Sequence, residues 1–242
     1  MPIRFVLVAT RHPGNIGATA RALTTMGFRE LWLVAPESFP HAEATALAAG
    51  ADEILVQARV VPNLLEAVAD CGLVYATSAR PRSAYYWPTF SPREAAPRLL
   101  AAGRDGEAAL VFGNERTGLS NEELALCAGV IRIPTDSSFE SLNLAQAVQV
   151  LAYELRTQGD EAPAAVARAV PLAPTAEVER LLGHLDAVLT EVDFTDRSGG
   201  PHLLERFRRV FARAELDAEE VSILRGFLAA VQSKRRRAGS GA

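Results

Sequence analysis

Three stretches of the chain concentrate side chains that could do chemistry. The first, 10-TRHPGNIGATARALTTMGF-28, joins glycines to Arg11, Asn15 and Arg21. Glycines there permit a tight turn, and asparagine and arginine can hold a phosphate or a polarised oxygen. The second is 112-FGNERTGLS-120. Its Gly113 and Gly118 have the spacing of a nucleoside-triphosphate loop, but Leu119 stands where that loop needs lysine, so the main contact to terminal phosphates is missing. A G-x-G-x-x-G dinucleotide fingerprint is missing as well. What remains is a glycine-rich turn leaving a strand, the place in a parallel sheet where ligands bind. The third, 133-IPTDSSFESLNLAQAVQVLAYE-154, is a hydroxyl-rich loop running into a helix. Ser141 can cap that helix, and the free N–H groups of a helix start can also face a ligand. A further segment, 77-TSARPRSAYYWP-88, mixes Arg80 and Arg82 with Tyr85, Tyr86 and Trp87, a combination suited to phosphate contact and base stacking or to packing on a protein surface.

Elements that would position these stretches follow from hydrophobic patterning. Strands are expected at Phe5–Ala9, Leu31–Val34, Ile54–Val56, Leu73–Ala76, Ala108–Phe112 and Val130–Ile133. Helices are expected at Ala18–Met26, Ala42–Ala49, Asn63–Cys71, Pro92–Ala102, Asn121–Ala128 and Leu144–Leu155. Strands alternating with helices imply an α/β fold, a mostly parallel sheet covered on both faces. Each polar stretch then falls just after a strand. From 157 to 176 the chain is rich in proline and alanine and reads as a linker. Beyond it, 177–242 shows only helical spacing, a second all-helical domain of about 60 residues that needs a partner surface for stability. The first domain is thus 1–156.

The 242 residues suffice for one full-sized domain and a small one. Hydrophobic residues make up 49% and charged residues 22%, as in a water-soluble globular chain. No run reaches the roughly 18 apolar residues of a membrane span, and the apolar N-terminal core is too short for a signal peptide. Cys71 and Cys127 have no metal-type spacing and are expected to be packed thiols in a reducing, cytoplasmic setting. The net charge of −4 does not by itself favour a nucleic-acid partner. Basic residues are clustered, however, in 206-RFRR-209 and 234-KRRR-237, and a local basic face survives a negative average.

Taken in order, N-x-G-x-x-x-R (Asn15, Gly17, Arg21), F-G-N-E-R-x-G-L (112–119) and S-L-N-L-A-x-A-V (141–148) resemble the SpoU branch of the SPOUT RNA methyltransferases. The likeness is densest over 1–156. More narrowly, 31-LWLVAP-36, 47-LAAGA-51, the TSAR loop and two helical C-terminal segments resemble the bacterial TrmJ subgroup of tRNA (cytidine/uridine-2′-O-)-methyltransferases. One departure is Asn114, where close members of that subgroup can carry arginine. The resemblance implies a trefoil knot, a homodimer, S-adenosyl-L-methionine as cofactor, tRNA as partner and no metal. It implies catalytic roles for Arg21, Asn15 and Ser141. It puts Thr77, Ser78, Ala79, Gly113, Glu115, Ile133, Ser141, Leu142 and Asn143 around the cofactor. RNA contacts would come from Arg11, Arg80, Arg82 and Arg116. The activity implied is 2′-O-methylation of a tRNA ribose at nucleotide 32 of the anticodon loop. Alternatives are methylation of ribosomal RNA or another tRNA position, and an RNA-binding module of the same fold without turnover.

Overall fold

A computed structural model describes residues 3–79, 87–161, 170–194 and 202–239. Strand β1 (Ile3–Val8) leads through helix α1 (Pro13–Met26) to β2 (Glu30–Val34). Two short helices, α2 (Ala42–Ala48) and α3 (Asp52–Gln57), precede β3 (Arg59–Val61) and α4 (Leu64–Val68). Then come β4 (Cys71–Thr77), β5 (Thr89–Phe90), α5 (Pro92–Asp105), β6 (Glu107–Phe112), α6 (Asn121–Ala125), β7 (Gly129–Ile131) and α7 (Leu144–Glu161). Helices α8 (Thr175–Glu191), α9 (His202–Ala214) and α10 (Ala218–Gly239) finish the chain.

All seven strands lie in one sheet of order β3-β2-β1-β6-β4-β7-β5, and every pairing is parallel. Alternation along each strand divides the core. Phe5, Leu7, Leu31, Leu33, Leu110 and Phe112 point to one face and pack with α1, α5 and α7. Val6, Val8, Trp32, Val34, Ala109 and Val111 point to the other and pack with α4 and α6. Because side chains of a strand alternate with period two, each strand must be apolar on both sides to sit between helix layers.

Residues 54–56, expected as a strand, lie in α3 instead. Three apolar residues carry no period of their own, and Asp52 and Glu53 at the start of a helix favour helix over strand through its dipole. The strand comes a few residues later, at Arg59–Val61. Helix α1 also begins earlier than its apolar spacing suggests. Pro13 takes its first position and Gly14 and Gly17 lie inside it. Gly17 is there for packing rather than turning: a Cβ on it would sit 2.0 Å from the Ala44 carbonyl oxygen of α2.

Helices α8–α10 share their own core around Leu181, Val188, Val221 and Leu228. This unit is tied to the sheet. Thr175 Oγ1 donates to the Cys71 carbonyl at 2.8 Å, the Ala176 N–H donates to the Ala69 carbonyl at 2.9 Å, and Arg98 of α5 pairs with Glu215. Leu172 forms an antiparallel bridge with Asp217. Both cysteines are free and buried. Burial pushes the Cys71 thiol up to about 12 and raises that of Cys127 as well, so neither offers a thiolate at neutral pH.

Candidate active site

The parallel sheet brings the polar stretches to one edge. Leu7 of β1 lies opposite Phe112 of β6, so the turns that follow these two strands are neighbours. Thr77 of β4 lies opposite Ile131 of β7, which brings Ser78 beside the loop that follows β7.

At this edge the three motifs meet through a short chain of hydrogen bonds. Asn143 Nδ2 donates to Asn15 Oδ1 at 2.9 Å. Asn15 Nδ2 donates to Glu115 Oε1 at 2.7 Å. The Glu115 carboxylate also accepts the backbone N–H groups of Arg11 (3.1 Å) and His12 (3.3 Å). Glu115 thereby pins the start of α1 to the turn after β6. Burial disfavours its charge. The bonds from Asn15 and from backbone N–H groups outweigh that and hold the carboxyl below its usual range. Asn143 also caps α7, its Oδ1 accepting from the Ala145 N–H at 2.9 Å. The capping role expected of Ser141 thus falls to Asn143, which stands immediately before the first helical residue, where a side-chain oxygen reaches the free N–H groups.

Beside this chain lies a cavity of about 410 Å³. Thr77, Ser78 and Ala79 form one side of it, and the turn from Phe112 to Gly118 forms another. Ile133, Thr135, Ser137, Ser138, Glu140, Ser141 and Leu142 form a third, with Leu144 and Ala147 of α7 behind them. Gly113 is required where the turn closes on itself, since a Cβ there would lie 2.3 Å from the Gly118 carbonyl carbon. Asn114 braces the same turn, its Oδ1 accepting the N–H of Arg116 (3.0 Å) and of Thr117 (2.7 Å).

Of the residues expected around a cofactor, Thr77, Ser78, Ala79, Gly113, Glu115, Ile133, Ser141 and Leu142 line this cavity, whereas Asn143 lies outside the lining and is hydrogen-bonded to Asn15. Asn15 and Arg21 are not in the lining either. Arg21 is exposed on α1, and among the described residues its side chain makes no hydrogen bond or ion pair. Arg116 lines the rim and is exposed. Arg11 is held by Glu37, Nε to Oε1 at 2.8 Å. Arg80 and Arg82 lie outside the described residues. Thr135, Ser137, Ser138 and Glu140 line the cavity without having been singled out. The hydroxyl-rich run after β7 was the available signal, but which of its residues turn inward depends on the loop path.

The SpoU rRNA Methylase family matches residues 2–153, well over half of the chain. The chain belongs to the SpoU methylase family. Its C-terminal part matches the tRNA methyltransferase TrmJ C-terminal domain over residues 176–240. A tRNA (cytidine/uridine/adenosine-2′-O-)-methyltransferase TrmJ of Pseudomonas aeruginosa is 44% identical and covers 97% of this chain and 95% of its own length. A tRNA (cytidine/uridine-2′-O-)-methyltransferase TrmJ of Cronobacter sakazakii is 42% identical and covers 96% and 97%. Among solved structures, TrmJ from Z. mobilis superposes with a TM-score of 0.83 at 36% identity, covering 95% of this chain and 98% of that one. Within the SpoU methylase family the chain is therefore a methyltransferase of the TrmJ group. The described residues hold no cluster of three or more His, Cys, Asp or Glu placed for a metal, and no helix among them is long and apolar enough to cross a membrane.

Proposed function

We propose that this chain is a cytoplasmic S-adenosyl-L-methionine-dependent 2′-O-methyltransferase of tRNA that acts on nucleotide 32 of the anticodon loop, on cytidine, uridine or both. The observation that carries the reading is the Asn143–Asn15–Glu115 chain, which joins all three family motifs at the rim of one cavity. The cavity suits the cofactor. About 410 Å³ is within the ordinary range for such a ligand. Ile131, Ile133 and Leu144 offer an apolar wall for a flat base, and Thr77, Ser78, Thr135 and Ser141 offer hydroxyls for a ribose and a carboxylate. When bound, the cofactor supplies a methyl group activated by a sulfonium.

The protein's own residues would position the ribose and control charge. Arg21, exposed and unengaged among the described residues, would grip the phosphate beside the target ribose and stabilise negative charge growing on the 2′-oxygen. It cannot serve as the base, since a guanidinium carries only N–H donors and no acceptor for a proton. Glu115 is a poor base for a different reason. Its carboxylate is held by three N–H donors, which lowers its proton affinity. The proton would then pass to the neighbouring phosphate or to water. Arg116 and Ser141 at the rim, Arg11, and the Arg80 and Arg82 segment would contact the RNA. The same reading takes the turn after β6, strand β7 and the loop into α7 as the trefoil knot of this family. It also makes the chain a homodimer, for which exposed Val150 and Tyr153 on α7 offer an apolar face.

Mass spectrometry of 2′-O-methylated nucleosides in tRNA, from cells with and without the gene, tests the assignment. Loss of methylation at nucleotide 32 is expected. An unchanged anticodon loop would sink it. Because phosphate contacts dominate tRNA affinity, binding should also weaken steeply with salt.

A further inference from the structure

The wall of the cavity formed between β7 and α7 has no regular secondary structure, yet its course is held at defined points. Arg132 is anchored to the sheet by its backbone, its N–H donating to the Phe90 carbonyl at 2.9 Å. From that anchor its Nη2 reaches across the loop to Glu140 Oε1 at 2.9 Å. Thr135 Oγ1 donates to the Glu140 carbonyl at 3.2 Å, bracing the same crossing. At the tip, Asp136 Oδ1 accepts the Ser138 N–H at 2.8 Å, and the Phe139 N–H donates to the Asp136 carbonyl at 3.1 Å. Two opposite charges eight positions apart thus close the loop into a ring, and the residues enclosed, Ile133, Thr135, Ser137 and Ser138, face the cavity. The Arg132 and Glu140 side chains are 41% and 37% exposed. A pair so open to water shifts an equilibrium by only a few-fold. That is too little to matter for overall stability, and its effect would fall on the course of this wall.

We propose that Arg132 and Glu140 are positioning residues for the methyl donor: their pairing holds the wall closed, and this tunes affinity for S-adenosylmethionine without either charge being needed in contact with it. The inference rests on the function proposed above. A wall that is closed only part of the time lowers the apparent affinity by the closed fraction and leaves the chemical step alone.

Calorimetric titration of S-adenosylmethionine into the full chain without RNA tests this. The variants are Arg132→Gln, Glu140→Gln and the exchanged pair Arg132→Glu with Glu140→Arg. Each single change is expected to raise Kd at low salt by up to about fivefold, the upper end of what an ion pair of this exposure contributes. The exchanged pair should recover most of the loss. At 1 M salt, where the screening length falls to about 3 Å and an exposed pair weakens, the gap between the single variants and the unaltered chain should narrow. In turnover the KM for S-adenosylmethionine should rise by the same factor while kcat at saturation stays unchanged. A purely structural defect would instead lower kcat and the melting temperature. If Glu140→Gln weakens binding but Arg132→Gln does not, Glu140 meets the cofactor directly and the proposal falls. Equal affinity in all variants also overturns it. An unaltered chain that binds no S-adenosylmethionine overturns the functional reading and this proposal together.

Discussion

The two ends of the central strands put charge to opposite uses. At the N-terminal end of β1, Arg4 is buried with 3% of its surface exposed. Its terminal nitrogens donate to Asp70 at 2.7 and 3.0 Å, and its guanidinium lies 4.1 Å from the centre of the Trp32 ring, whose other neighbour is Arg59. Burial disfavours the Arg4 cation, but its bonds to Asp70 more than offset that, and its pKa is raised. At the C-terminal end, Glu115 and the two asparagines form a partly exposed chain, and Arg21 beyond it is left unengaged among the described residues. One end satisfies its charge within the protein and holds layers together. The other has an exposed cation, Arg21, whose side chain meets no partner among the described residues. Charge alone does not mark a site; its surroundings decide whether it holds layers together or stays open to solvent.

Breaking each end in turn should give different signatures. The largest effect is expected at Arg21. Arg21→Ala should lower kcat by about 10²–10³-fold, the usual cost of removing one donor to a developing oxyanion, with an unchanged melting temperature. Arg21→Lys should recover only part of this, because a single ammonium cannot grip a phosphate bidentately. Near wild-type turnover by the lysine variant would refute the phosphate clamp. Arg4→Ala should do the reverse. Losing the buried half of the ion pair and the ring contact should cost about 2–3 kcal/mol of stability, read by denaturant unfolding, while turnover of the protein that remains folded persists.

Gly17→Ala should connect the two signatures. A Cβ placed 2.0 Å from a backbone oxygen must push α1 from α2, costing about 1–3 kcal/mol and shifting Asn15 and Arg21 together. Both the melting temperature and kcat should fall, and a change in one alone would mean α1 yields without moving the site. The smallest effect is a pH dependence. Glu115 has a folded-state pKa below its unfolded value. Its contribution to stability is therefore complete above the unfolded value, about 4.3, and is lost as pH falls through the folded one. The slope of stability against pH below that unfolded value should flatten in Glu115→Gln, as measured by unfolding at fixed temperature.

Much of this frame was legible before any coordinates. The alternation of short apolar runs and helical spacing gave a parallel α/β sheet followed by helices, because strands buried on both faces read as continuous apolar runs. Residues 54–56 misled, since three apolar residues fit a short strand and a helical turn alike. Glycine was misread for a related reason. Gly17 is a packing residue, and only the neighbouring α2 makes that visible. The motif residues were legible as types and spacings. Asn143 was visible as part of a motif, but its bonds, to the first turn of α7 and to Asn15 128 positions earlier, were not.

The sequence by itself determined the alternation of strands and helices, the identity of the three motifs and the membership of the SpoU methylase family, because these depend on residues near one another in the chain. Only the tertiary structure decided that Asn143, Asn15 and Glu115 form one chain, that Arg11 is paired with Glu37 while Arg21 meets no partner among the described residues, and that Arg132 reaches Glu140 along the cavity wall. The reason lies in the parallel sheet. Each crossover returns the chain to the same edge, so residues a hundred positions apart end within hydrogen-bond distance, and no local pattern records which of them will meet.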